Sequence, residues 1–114
     1  MKENLKSKLS EEFVLINEIN NECVDLLMED KVEESLKKLI KLESNFKSLI
    51  NQNKKEIDNK IMILILHNIA CCYQKLKNFE SCIYYLKAVI LNYDNMLEKK
   101  HGIKIGLNGR RNKI

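Results

Sequence analysis

Leu66-His67-Asn68-Ile69-Ala70-Cys71-Cys72-Tyr73-Gln74-Lys75-Leu76-Lys77-Asn78-Phe79-Glu80-Ser81-Cys82-Ile83-Tyr84-Tyr85-Leu86-Lys87-Ala88-Val89 is the stretch that decides the fold. Leu66, Ile69, Ala70, Tyr73 and Leu76 recur at steps of three and four, the spacing of one helical face. Lys77-Asn78 interrupts the rhythm, and Phe79, Cys82, Leu86 and Val89 resume it. Two amphipathic helices joined by so short a break fold back on each other as a hairpin. The same order of residues occurs earlier and more faintly. Ile19, Cys23, Leu26, Val32, Ser35, Leu39 and Leu42 lie 47 positions before Leu66, Ala70, Tyr73, Phe79, Cys82, Leu86 and Val89 (23 to 70, 35 to 82, 42 to 89). One constant offset across all these slots marks an internal repeat.

The repeated pattern resembles the tetratricopeptide repeat (TPR) family over roughly residues 16–96. In that family a large apolar residue, a small residue and an aromatic mark a first helix. A second helix then carries a small residue, a large one and another apolar one. The family period is about 34 residues, and the longer offset here is absorbed within 43–55. The Pro that often closes a TPR unit is absent. The Gly usual at the turn is replaced by Asp30 and Lys77, which reads as longer helices that end less abruptly. The resemblance implies an all-α fold of four antiparallel helices, two TPR-like hairpins in a short α-solenoid. It also implies a surface that holds peptides or other proteins rather than an enzyme.

Composition sets the outer limits. The 114 residues suit one domain, and 45% hydrophobic with 32% charged residues suits packed helices. There is no Pro, and the three Gly all follow residue 100, so nothing breaks the helical pattern from Ser10 to Lys100. The division expected is an N-terminal segment over 1–9, a helical domain over 10–100 and a basic tail over 101–114. The net charge of +4 is too modest to name a nucleic-acid partner. No apolar run reaches the ~18 residues of a membrane span, so no membrane is expected. Met1-Lys2-Glu3-Asn4 lacks the apolar core of a signal peptide. The expectation is a cytoplasmic chain, with cytoskeletal or ciliary association open, whose four Cys stay reduced.

Cap signals place the helix ends. Ser10-Glu11-Glu12 reads as the first start, Asp30 with Glu33 as a capping box for the second helix, Asn53 with Glu56 as the third start, and Asn78 as the cap of the fourth. His101-Gly102 reads as the last end. Six consecutive apolar residues, Ile61–Leu66, could make a buried strand. The regular pattern after them favours a helix apolar on most sides and sandwiched between others.

Carried over slot by slot, the family's peptide groove falls on Asn17, Asn20, Asn21 and Val24 of one helix and His67, Asn68, Cys71, Gln74 and Lys75 of another. Asn21 and Asn68 match groove Asn residues, whose amides can donate and accept at once along an extended backbone. The Lys of the family's carboxylate clamp is replaced by Asn20 and His67, which argues against capture of a chaperone tail. A solvated polar face is the plain alternative for the same residues. Cys71, Cys72, Cys82 and His67 lack the paired spacing of a structural metal site, so no metal and no cofactor is expected. Cys23 and Cys82 hold the family's small-residue slots as compact hydrophobes. Tyr73 and Phe79 fall on core slots. Tyr84, Tyr85 and Tyr93 read as core or contact surface before they read as base-stacking platforms.

No phosphate loop, metal-binding helix motif or catalytic constellation is present in the sequence, so no catalytic residue is assigned. The tail carries Lys104, Arg110, Arg111 and Lys113, a possible contact for an acidic surface or for phosphates. The function expected is a non-catalytic interaction module, an adaptor or subunit that binds through the groove and an exposed helix end. Two hairpins leave that end apolar, with Phe13, Phe46 and the outer side of the last helix as candidates. It would be covered by a protein partner, a second copy, or the chain's own ends, and a peptide ligand is possible in the groove. Two alternatives stand beside this one. One is a structural component of a cytoskeletal or ciliary assembly. The other is an accessory subunit of a nucleic-acid-processing complex that uses the basic tail.

Overall fold

The computed structural model describes residues 2–52 and 60–101, with side-chain surroundings for 11–51 and 60–97. The described residues form four helices and two short turns, without a strand: α1 (Lys2–Met28), α2 (Val32–Gln52), α3 (Lys60–Lys75) and α4 (Phe79–His101). α1 and α2 form one antiparallel hairpin, and α3 and α4 form another. α3 packs against all three other helices. Ile61–Leu66 is therefore helix, as expected. Met62, Ile65 and Leu66 are buried, and the turn of helix on the far side leaves only Leu64 half in solvent.

α1 begins at Lys2, well before Ser10. Leu5 and Leu9 sit four residues apart and four before Phe13, so the apolar rhythm runs back through the proposed start. A cap signal inside an unbroken helical pattern does not start a helix there.

Both hairpins turn in the same way. Asp30 has φ 67° and Lys77 has φ 62°, each in the left-handed region. The N–H of Lys31 donates to the carbonyl of Leu26 at 2.8 Å and that of Asp30 to Leu27 at 3.1 Å. The N–H of Asn78 donates to Tyr73 at 2.9 Å and that of Lys77 to Gln74 at 3.0 Å. This is the Schellman closure of a helix C-terminus, repeated at the 47-residue offset (30 to 77). The helices therefore end abruptly, without Gly. Asp30 closes α1 and does not cap α2. The residue before α2 is Lys31, whose side chain cannot accept a hydrogen bond. Glu33 and Glu34 in the first turn offset part of that loss by facing the positive end of the helix dipole. In the second hairpin Asn78 does cap, its Oδ1 accepting the N–H of Ser81 at 3.3 Å.

The core lies where α3 enters the first hairpin. Leu39, Phe46, Ile65 and Ile69 are fully buried there, each burial contributing roughly 1.5–3 kcal/mol. Small residues let the backbones approach: Cys23 and Ser35 between α1 and α2, Ala70 and Cys82 between α3 and α4, all buried. The Ser35 hydroxyl donates to the Cys23 carbonyl at 2.7 Å, and the Cys72 thiol donates to the Ser35 oxygen at 3.7 Å. One hydroxyl thus joins three helices. At the surface, Lys38 pairs with Glu22 at 2.6 Å across α1 and α2.

Candidate functional site

Two surfaces are candidates. The first is the face along which α1 and α3 present the groove residues. Asn17, Asn20, Asn21 and Val24 occupy successive turns of α1, and His67, Asn68, Cys71, Gln74 and Lys75 occupy the matching turns of α3. Asn17, Asn21, His67, Gln74 and Lys75 are exposed, and Val24, Asn68 and Cys71 are half-buried.

Asn20 departs from expectation. It is buried, and its Oδ1 accepts a hydrogen bond from Nδ2 of Asn68 at 3.0 Å. The two amides therefore serve each other between helices first. Asn20 is a floor of this face, not an exposed grip. Asn68 keeps spare bonding capacity, since one bond uses only part of an amide's donors and acceptors. A sequence signal for this was present. Asn20 lies on the α1 stripe of Ile16, Cys23 and Leu27, and Asn68 on the α3 stripe of Ile65 and Cys72. A polar residue inside an apolar stripe needs a buried partner.

Cys71 Sγ lies 3.8 Å from His67 Nδ1. Burial is the main influence on the Cys71 thiol and pushes its pKa up, with the nearby Cys82 adding to it. A raised thiol holds its proton, which is the opposite of an activated nucleophile. Among the described residues no group of three His, Cys, Asp or Glu side chains could hold a metal ion. No helix of the described residues is long and apolar enough to cross a membrane.

The second surface is the outer stripe of α4. Phe79, Ile83, Leu86, Ile90 and Tyr93 follow one another at helical spacing, and they are 58, 52, 39, 38 and 49% exposed. Phe79 is thus a surface residue and not the core residue its slot implied. The positions 47 earlier are Val32, Leu36, Leu39, Glu43 and Phe46 of α2. Those are buried, apart from a half-buried Leu36, because α3 lies over them. Glu43 tolerates the cover by pairing with Lys47 at 3.0 Å. Among the described residues nothing covers the same kind of face on α4. Tyr73 and Tyr85 stack beneath it with ring centres 5.7 Å apart, so the inner side of α4 is anchored on α3.

Of the other proposed apolar ends, Phe46 is fully buried and Phe13 is half-buried against it, rings 6.3 Å apart. Phe13 of α1 supplies that contact and covers the Phe46 ring. The tail residues Lys104, Arg110, Arg111 and Lys113, and the caps Asn53 and Glu56, lie outside the described residues. No protein-family model, curated protein or solved structure matches this chain.

Proposed function

We propose that this chain is a non-catalytic protein–protein interaction module of TPR-like design, an adaptor or a subunit of a larger complex. The observation that carries this reading is the bare outer stripe of α4, whose counterpart on α2 is covered by a helix. A contiguous apolar face of this kind marks an interaction surface in a folded protein. The α1–α3 face adds a second contact area. Asn17, Asn21, Gln74 and Lys75 are exposed there around the half-buried Asn68, polar groups suited to an extended peptide.

The test is co-purification with the tagged full chain. It is run beside Ile83→Glu/Ile90→Glu, which charges the α4 stripe, and Asn21→Ala/Asn68→Ala, which strips the groove amides. A version ending at Lys100 serves as a third comparison. Stoichiometric partners lost from either double variant, with helicity unchanged, support the reading. Partners that survive both but vanish with the shortened chain would sink it and move function to the tail.

A further inference from the structure

We infer that the α4 stripe is a self-association surface. Two copies of this chain pair antiparallel through α4 about a two-fold axis at Leu86. The inference rests on the interaction-module reading above and names the occupant of one of its two surfaces.

The internal repeat supplies the template. On α2 this face takes an antiparallel helix, α3, that offers Met62, Ile65, Ile69 and Cys72 to the same buried cluster. The helix that fits α4 should therefore be antiparallel and apolar along one stripe. Another molecule's α1 does not qualify. At the 47-residue offset its residues are Leu15, Glu18, Glu22 and Asp25, all exposed. Docking α1 on α4 would bury three carboxylates against Phe79, Ile83 and Ile90, which is strongly unfavourable. Head-to-tail stacking of copies is excluded by that charge.

A second α4 does qualify. Its stripe reads aromatic, Ile, Leu, Ile, aromatic, nearly the same in both directions about Leu86. Turned antiparallel, Phe79 meets the copy's Tyr93, Ile83 meets the copy's Ile90, and Leu86 meets itself. Every large apolar group that α4 leaves in solvent along this side finds an apolar partner. Such self-complementarity is what an isologous interface requires. Lys87 flanks the axis and meets its own copy, so added salt strengthens the pair by screening that repulsion.

The test is sedimentation of the purified full chain across a concentration series, with helicity followed by circular dichroism. A concentration-dependent dimer is expected, and Leu86→Glu should weaken it by at least about tenfold, as loss of a central apolar contact does. Leu86 is partly exposed, and unchanged helicity shows that the fold survives. Phe79→Glu and Tyr93→Lys, both at well-exposed positions, should each weaken the dimer. The double variant Phe79→Glu/Tyr93→Lys should recover it, because the antiparallel register places each new acid beside the copy's new base. A chain that stays monomeric at every concentration overturns the inference. So does a dimer untouched by Leu86→Glu, or a double variant no better than its parents. A monomer that still captures partners through the groove would end this inference and leave the interaction-module reading standing. A dimer whose groove variants change no binding would do the reverse for the groove.

Discussion

α2 and α4 carry the same helical stripe at a fixed offset and meet opposite fates. Leu39 and Phe46 are sealed under α3, while Leu86 and Tyr93, their counterparts, remain 39 and 49% exposed. An amphipathic pattern states that a helix has a face to hide. It does not state whether the chain holds the piece that hides it. In this molecule one face is buried under a helix, and its twin stays exposed among the described residues.

The largest test of that contrast is truncation. Phe46→Ala should cost about 3–5 kcal/mol and Leu39→Ala about 2–5, because each empties a filled core. Tyr93→Ala and Leu86→Ala should cost under ~1 kcal/mol each when unfolding is followed at high dilution. Equal losses in the two hairpins, read from urea midpoints, would mean that the α4 face is not open.

Alkaline titration comes next. Burial is the main cause that raises the Cys23 thiol from 9.0 to about 11, and the carboxylate of Glu22 adds to it. The folded state then holds a proton that the unfolded chain releases. Stability is complete below pH ~9 and falls as pH rises toward about 11, by ~2–3 kcal/mol for this group. The second hairpin has Ala70 at the equivalent place, and its share of the alkaline dependence comes from Cys71, Cys72 and Tyr85, whose protons burial also holds. Cys23→Ala should therefore flatten the decline measured between pH 8 and 11, and an unchanged slope would assign it elsewhere.

Two smaller effects sharpen the comparison. Ser35→Cys copies the second hairpin's residue into the first and should cost about 1–2 kcal/mol, since a thiol is a poor substitute for the 2.7 Å bond to Cys23. At the turns, Lys77→Gly should gain about 1 kcal/mol by removing a side chain from left-handed backbone. Asp30→Gly should gain only a few tenths, because Asp tolerates that conformation better than Lys. Melting midpoints of the four proteins would check the order, and a loss at Lys77→Gly would contradict it.

The helical class and both hairpins were legible because periodicity and turn spacing are local properties. The start of α1 was misplaced because Ser10-Glu11-Glu12 satisfies the chemistry of a cap, although Leu5 and Leu9 already carried the stripe. Asp30 was misassigned by one position, since the same residue type serves helix starts and left-handed ends. Of the groove, the exposure of Asn17, Asn21, Gln74 and Lys75 agrees with their reading as a polar face. The pairing of Asn20 with Asn68 joins residues 48 apart, and no local pattern specifies which polar residue meets which. Phe79 shows the same limit, because its slot is a core slot only where another helix packs on it, as α3 packs on Val32.

The Asn20–Asn68 bond also bears on how the two hairpins fold together. In a repeat array, each unit contributes its own stability and each junction contributes a coupling. Two units have a single junction, so all cooperativity between them passes through the docking of α3 on the first hairpin. The aliphatic contacts there would tolerate a slip of one helical turn. The amide pair would not, because a shifted register leaves the buried Asn20 without its partner. The bond therefore favours the aligned register over a slipped one. Replacing both Asn with Leu should then weaken the preference for this register, read as a broader thermal unfolding transition.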